Sequence, residues 1–358
     1  MDNNLPTNEG TKEHFIRNGV LLNEMLLGKA DAFCQTIGRK YEIALSRIYK
    51  EIEAFFNRYA TDGELMLADA RQRLSQNELR RYRAEVEEYM LDGERVRYFP
   101  DYEDTLRTAS TAYYVTRLEA LELQTRQHVE ELYIYYLRGL QGAIYDIYTE
   151  GYYRSLYEAQ RTINYELVFA LLITSQVKEA IATPWSPDGT TFSEKIWRDR
   201  NELVAFLDRE LTQALVRGDG AERLITELQR KFDVTRSNAT RLIRTEAAHF
   251  TTLSKINAFK EMGYTSYFIS AIMDMKTSEI CAEMDGKEFP IEAYRPGVTA
   301  PPLHPNCRSS VSETAPPPAS NIANATTDNT NKDITYMEFL ERFSITITTE
   351  RPANWSSP

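Results

Sequence analysis

Residues 118–147 read LEALELQTRQHVEELYIYYLRGLQGAIYDI. Leu118, Leu121, Thr125, Val129, Leu132, Tyr136, Leu140, Ala143 and Ile147 recur in steps of three and four, which puts them on one face of a single long helix that has to bury that face. Glu119, Glu122, Arg126, Glu130 and Arg138 fall on the far side and read as a solvated surface. An earlier stretch, Leu21 to Tyr59, repeats the pattern through Leu22, Met25, Leu26, Phe33, Ile37, Tyr41, Ala44, Ile48 and Ile52. A turn signal at Thr61-Asp62-Gly63 and a break at Phe99-Pro100-Asp101 separate the helical segments by short connections. From about residue 11 to 178 the expectation is an antiparallel array of long helices.

The whole chain has 358 residues, room for two or three domains at roughly 150 residues each. Its 15 Gly make up about 4% of the chain, below the usual share of roughly 7%, which argues against Gly-rich phosphate loops and many-turned all-β folds. The balance of 42 Lys+Arg against 53 Asp+Glu, a net charge of −11, argues against coating nucleic acid through bulk charge. Three Cys are too few for a disulfide scaffold and fit a reducing compartment. The first residues, MDNNLPTNEGTKEHF, have neither a basic n-region nor an apolar h-region, so no signal peptide is expected. No membrane span is expected either, because no apolar run approaches the length a bilayer requires. Fifteen of the 22 Tyr lie between Tyr82 and Tyr165, and their apolar rings with polar tips suit contacts between helices or subunits. A base-stacking surface for single-stranded nucleic acid would need an interleaved basic groove that this region lacks.

Composition shifts at Ala182-Thr183-Pro184-Trp185-Ser186-Pro187-Asp188-Gly189, which marks a boundary. Beyond it Ser193 reads as the cap of a helix carrying Trp197, Leu203, Phe206 and Leu207. Past Leu211 to Val216 and a turn at Gly218-Asp219-Gly220, further helices are expected from about Ala221 to Phe232 and from about Thr235 to Phe259, a pair whose reading as an ordinary hairpin competes with a DNA-reading helix-turn-helix. Tyr264 to Ile272 is β-branched and aromatic and reads as a strand, with Phe289 and Ile291 on a second strand after a turn at Asp285-Gly286-Lys287. The stretch 314–333, rich in Pro, Ala, Asn and Thr, reads as a disordered linker. Apolar residues return from Ile334 to Ile347 and suggest a segment that docks on the chain itself or on a partner. The expected fold class is therefore mainly α, with a helical N-terminal docking region over 1–182, a small α+β domain over 183–313, a linker over 314–333 and a tail over 334–358.

Chemistry concentrates in Asp274 to Cys281, Met284 to Phe289 and Ala300 to Arg308. A metal reading takes Cys281, His304 and Cys307 as soft or borderline ligands, with Asp274 or Asp285 completing a tetrahedron around zinc. The alternative is a metal-free knuckle in which the thiols act as small hydrophobes. A nucleophilic pair of Cys307 with His304 or His249 lacks an identifiable oxyanion donor. Upstream, Glu246 is placed to reach this knuckle, and Arg244 or Arg308 either binds a phosphate or carboxylate or forms a buried clamp between helix and loop.

The ordered set Trp197, Arg241-Leu242-Ile243-Arg244-Thr245-Glu246, Asp274-x-x-Thr277-x-x-x-Cys281-x-x-x-Asp285-Gly286-Lys287-x-Phe289 and Pro301-Pro302-Leu303-His304-Pro305-Asn306-Cys307-Arg308 resembles the phage Mu protein F-like head morphogenesis domain. The resemblance covers roughly residues 185 to 313, and Ser278 stands where family members often carry a leading Cys. It implies a minor capsid protein of a tailed double-stranded DNA phage. Such a protein is a virion component made in the host cytoplasm, associated with the portal protein and the procapsid interior, and in some members with the genome. On this reading the helical arm engages the portal, scaffold or major coat protein, and the knuckle is structural, with Arg244, Glu246, Asp274, Thr277, Gly286, Pro302 and Arg308 as its supporting motif. The rival expectation is an enzyme, metal-dependent or ADP-ribosyltransferase-like, since domains resembling this family occur beside such toxin modules.

Overall fold

The computed structural model describes residues 9–61, 65–91, 99–163, 166–314, 322–323 and 334–347. The helices in chain order are α1 (Glu9–Tyr59), α2 (Leu67–Ala70), α3 (Gln76–Leu91), α4 (Pro100–Thr111), α5 (Arg117–Ile163), α6 (Thr174–Ala182), α7 (Phe192–Arg217), α8 (Ala221–Glu261), α9 (Glu279–Met284) and α10 (Tyr336–Arg342). Five short strands accompany them: β1 (Glu166–Leu167), β2 (Ser266–Ser270), β3 (Glu288–Pro290), β4 (Ser310–Glu313) and β5 (Ile322–Ala323). The fold is mainly α, with a three-stranded antiparallel sheet β3-β2-β4 toward the C-terminal end and a two-stranded antiparallel pairing of β1 with β5. Contacts divide the described residues into two compact units: those up to Cys34, within Leu140–Phe192 and from Thr240 onward form the first, and those within Gln35–Gly139 and Ser193–Ala239 the second. Helices α1, α5 and α8 each contribute residues to both.

In the second unit the heptad-like stripe does what its spacing predicts: Leu118, Leu121, Thr125, Val129, Leu132 and Tyr136 are all buried. The opposite face is not simply solvated. Glu130 is buried, and it pairs with Arg200 of α7, which is also buried. Arg200 reaches on to Asp101 at 2.8 Å, Arg126 closes the network onto Asp101 and Glu130, and the Arg200 guanidinium lies 4.6 Å from the centre of the Phe99 ring. A charge taken out of water is tolerable only when paired and hydrogen-bonded, which this network provides. Glu122 is half-buried rather than exposed, and burial, followed by its neighbours Asp208 and Glu119, pushes its carboxyl up to about 7. Asp208 is likewise raised to about 6 by burial.

Two helix boundaries differ from the sequence expectation. Residues 221–261 form one helix, because nothing between Phe232 and Thr235 breaks it and Thr235 donates back to the Lys231 carbonyl instead of capping a new helix. Helix α7 starts at Phe192, so Ser193 lies in its first turn and is not its cap. The turn at Gly218-Asp219-Gly220 survives, with Gly218 at φ 68° and Asp219 held by Arg217 and Arg223.

In the first unit, Tyr152, Tyr153, Leu156 and Tyr157 of α5 join Ile256 and Phe259 of α8, Met262 just beyond it, Tyr267 and Val311 of the sheet, and Phe339 and Leu340 of α10 in one core. The tyrosines are core residues whose hydroxyls find backbone partners: Tyr157 donates to Ile334, Tyr152 to Ala170, and Tyr153 accepts from the Leu172 N–H. Ile334 to Ile347 therefore docks on the chain itself, its helix entered through a Thr335/Glu338 capping box. Of the expected linker, Ile322–Ala323 pairs antiparallel with β1, and Thr314 bonds Ser266; the other residues of 314–333 lie outside the described ones, as do Asp62 and Gly63 of the first turn.

Replacing Arg200 with Leu leaves buried Glu130 with Arg126 as its remaining cationic partner and should cost about 3 kcal/mol in chemical denaturation, the low end for a broken buried pair. For Glu122, the folded state holds a proton that the unfolded chain releases near pH 4, so its contribution favours folding at acid pH and is lost as pH rises to about 7. Glu122→Gln should therefore raise the melting temperature at about pH 8, with the gain shrinking toward about pH 4. A gain that is equal at both pH values would contradict this account.

Candidate metal centre

The site belongs to the first unit and is built on the sheet β3-β2-β4, with β2 in the centre and both neighbours antiparallel. Tyr267, Phe268 and Ile269 of β2 are buried, as their β-branched and aromatic character predicts. Phe289 lies on β3 as expected, but Ile291 starts a 3-10 turn, because Ile291 N–H bonds Thr265 at the end of the ladder. Gly286 sits at φ 72° in the turn before β3, where a side chain would be strained, and its N–H returns to the Ile269 carbonyl.

Two loops leave this sheet and meet. The first, 271–278, is folded on itself: Thr277 Oγ1 accepts the Asp274 N–H and donates to the Ile272 carbonyl, while an Asp274 carboxylate oxygen accepts the Lys276 N–H. It ends at Ser278, whose hydroxyl accepts the Cys281 N–H and caps α9. The second loop, 300–309, contains a cis bond between Pro301 and Pro302 and a turn in which Cys307 N–H bonds the His304 carbonyl and Asn306 has φ 59°. Arg308 joins the loops with a bidentate pair to Asp274 at 2.8 and 2.6 Å. This pair holds the Asp274 carboxyl well below its usual range and raises Arg308. Two further residues fasten the second loop to helices: Asn23 of α1 donates to the Arg308 carbonyl, and Thr245 of α8 accepts the Asn306 N–H.

Where the loops meet, Cys281 Sγ lies 3.2 Å from His304 Nε2 and 3.7 Å from Cys307 Sγ. The three ligand atoms lie within 4.8 Å of one another, and among the described residues this is the group that could hold a metal ion. Both thiols are buried, His304 is half-buried, and Leu303, Ala271 and Met284 pack around the sulfurs. The donor set fits zinc: tetrahedral bonds of about 2.3 Å would place two sulfurs about 3.8 Å apart, close to what is observed. The ring orientation fits too. His304 Nδ1 lies 2.8 Å from the Pro305 carbonyl, which can only accept, so Nδ1 carries the proton and Nε2 presents its lone pair toward Cys281. Cys281 is held on the thiolate side, to about 4, first by a hydrogen bond from Cys307, with Ser278 and Ser309 also assisting and burial opposing. The same contact, together with burial, pushes Cys307 up.

The remaining expected residues are placed differently. Asp285 accepts the Ala271 N–H and Asp274 is engaged by Arg308, so neither carboxylate completes the three-ligand group. Glu246 accepts the Trp185 indole N–H at 2.7 Å, and the link from α8 to the knuckle runs through its neighbour Thr245. Arg244 is no buried clamp to the loop. It pairs with Asp31 of α1 at 2.7 Å with both side chains about half exposed. His249 stacks on Trp185, and the close thiol–imidazole contact is Cys281 with His304, not Cys307 with His249. Asn23 and Ser309 went unnoticed in the sequence, and Thr245 and Ser278 were given no role in the site. Of these only Ser278 carried a local signal, a Ser three residues before Cys281 at the start of a helix.

Residues 206–312 match the family described as Phage Mu protein F like protein. No curated protein and no solved structure matches the chain. The Mu F-like segment runs from within α7 to β4 and takes in the whole knuckle, while Trp197 lies before it. It covers under a third of the chain.

The purified chain should carry about one zinc, lost in Cys281→Ser, His304→Ala and Cys307→Ser with a fall in melting temperature. Asp285→Asn should retain it, since an amide oxygen can still accept the Ala271 N–H. Elemental mass spectrometry beside thermal melts checks both; loss of zinc in Asp285→Asn would restore the carboxylate as a ligand.

Proposed function

We propose that this protein is a minor head component of a tailed double-stranded DNA phage, acting in procapsid assembly through protein–protein contacts. The observation that carries this reading is the coincidence of the Mu F-like segment with the Cys281/His304/Cys307 knuckle and its supports. Zinc bound there would supply a cross-link between α9 and the loop leading into β4. The chain's own residues do the rest: Arg308 and Asp274 tie the two loops, and Asn23 and Thr245 tie the second loop to α1 and α8.

The role is binding rather than catalysis. Polar groups near the thiols are engaged with backbone or with sulfur: Ser278 caps α9, Ser309 bonds Cys281 and His304 Nδ1 bonds a carbonyl. No complete acid/base constellation accompanies them among the described residues. The helical regions supply docking surface for the portal, scaffold or major coat protein, with Tyr113 and Tyr114 among the exposed aromatic side chains. The site of action is the capsid interior or portal vertex, near packaged DNA. A net charge of −11 favours protein partners over extensive contact with phosphate.

The test follows the protein into heads. Expression of the chain in infected cells, purification of heads and immunoblotting should recover the wild-type protein, while His304→Ala and Cys307→Ser should be absent or strongly depleted. Zinc-free variants that enter heads at wild-type level would overturn the structural role of the knuckle. A wild-type chain absent from heads would overturn the assignment as a head protein.

A further inference from the structure

Two thiols whose sulfurs lie 3.7 Å apart can share something other than a metal ion. We infer that Cys281 and Cys307 are also a redox pair, closed to a disulfide by a two-electron oxidant of the peroxide class, and that closure releases the metal by withdrawing two of its three donors. The metal-release half rests on the reading of the site as a metal centre; the disulfide half stands on the placement of the thiols alone.

Three observations carry it. A disulfide has its sulfurs at about 2.05 Å, so closure needs an approach of under about 2 Å. The residues that would move sit on small elements: Cys281 is in the six-residue α9, and Cys307 follows the turn His304-Pro305-Asn306. Neither is on one of the long helices, where a comparable shift would disturb a packed core. The third thiol, Cys34, is on α1 and points to the Thr240 carbonyl, so Cys281 and Cys307 are the neighbouring pair among three free cysteines. Of the pair, Cys281 is 5% exposed and Cys307 2%, so Cys281 is the sulfur that meets the oxidant first.

The chemistry balances without a further reactant. Cys281 sulfur attacks one peroxide oxygen, the O–O bond breaks, and the departing oxygen takes a proton to leave as alcohol, or as water from hydrogen peroxide. Cys307 sulfur then attacks the sulfenic sulfur of Cys281, forming the S–S bond and expelling the hydroxyl with the second thiol proton as water. The two sulfurs lose two electrons and the peroxide gains two. Reduction by a dithiol reverses the step and restores the ligand set.

The experiment uses the full chain in a Cys34→Ser background, once loaded with zinc and once stripped of it, treated with one equivalent of hydrogen peroxide. Intact mass, peptide mapping without reduction and zinc release to a chromogenic chelator are read together. The expected result is a mass lower by two hydrogens in both forms, a cross-linked peptide pair containing positions 281 and 307, loss of about one zinc per disulfide and recovery on reduction. Should Cys34→Ser fail to fold, differential alkylation of the wild-type chain reads the same three thiols separately. Zinc retained beside thiols that stay free or gain oxygen without cross-linking would overturn the redox pair and leave the metal centre standing. A disulfide that forms in a chain never found to hold zinc would support the pair and overturn the metal centre.

Discussion

A helix buried around most of its circumference cannot leave a charge on any side unneutralised, and α5 imposes that constraint on both compact units. In the second unit it is met at Glu130, where Arg200 supplies a paired and hydrogen-bonded countercharge and Asp101 and Arg126 extend the network to the surface. In the first unit the buried positions are taken largely by tyrosines, whose rings fill the core and whose hydroxyls are spent on carbonyls and amides of neighbouring segments. The tyrosines Tyr152, Tyr153 and Tyr157 are thus a packing solution: their hydroxyls match backbone groups of the irregular segments that approach the helix.

The knuckle solves a different problem. Its sheet has three short strands, and the loop leaving β2 exposes its apolar side chains at Met273 and Met275. Order comes instead from directed bonds: the Arg308–Asp274 fork, the Thr277 and Ser278 hydroxyls, and the anchors from Asn23 and Thr245. These bonds hold two sulfurs and one imidazole nitrogen at a spacing that suits a soft metal. A small site held by polar fasteners rather than by bulk burial is the kind that a single lost ligand disables.

Much of this was legible in advance. The three-and-four stripe from Leu118 to Ile147, the β2 segment after Gly263, the turn glycines at 218 and 286 and the pairing of His304 with two thiols are all local patterns, and each appears where its spacing placed it. The misjudged features share one physical origin. Glu130 looked solvated because polar residues usually are, and α8 was expected as two helices divided before Thr235; Arg200 supplies the first with a buried partner, and in the second Thr235 donates back to Lys231 within a continuous helix. Arg244 and Glu246 were assigned to the knuckle on nearness in sequence, yet their partners are Asp31 and Trp185, more than fifty residues away.

By itself, then, the sequence determined the helical class, the position of the small sheet and the identity of the three side chains that could hold a metal, because periodicity, turn chemistry and ligand type are properties of neighbouring residues. Tertiary structure alone decided which charges are buried, which carboxylates are already engaged and which helix holds the knuckle. Those outcomes depend on which side chain from a distant segment arrives at a given atom, and a hydrogen bond of about 3 Å carries no signature in the spacing of the residues that make it.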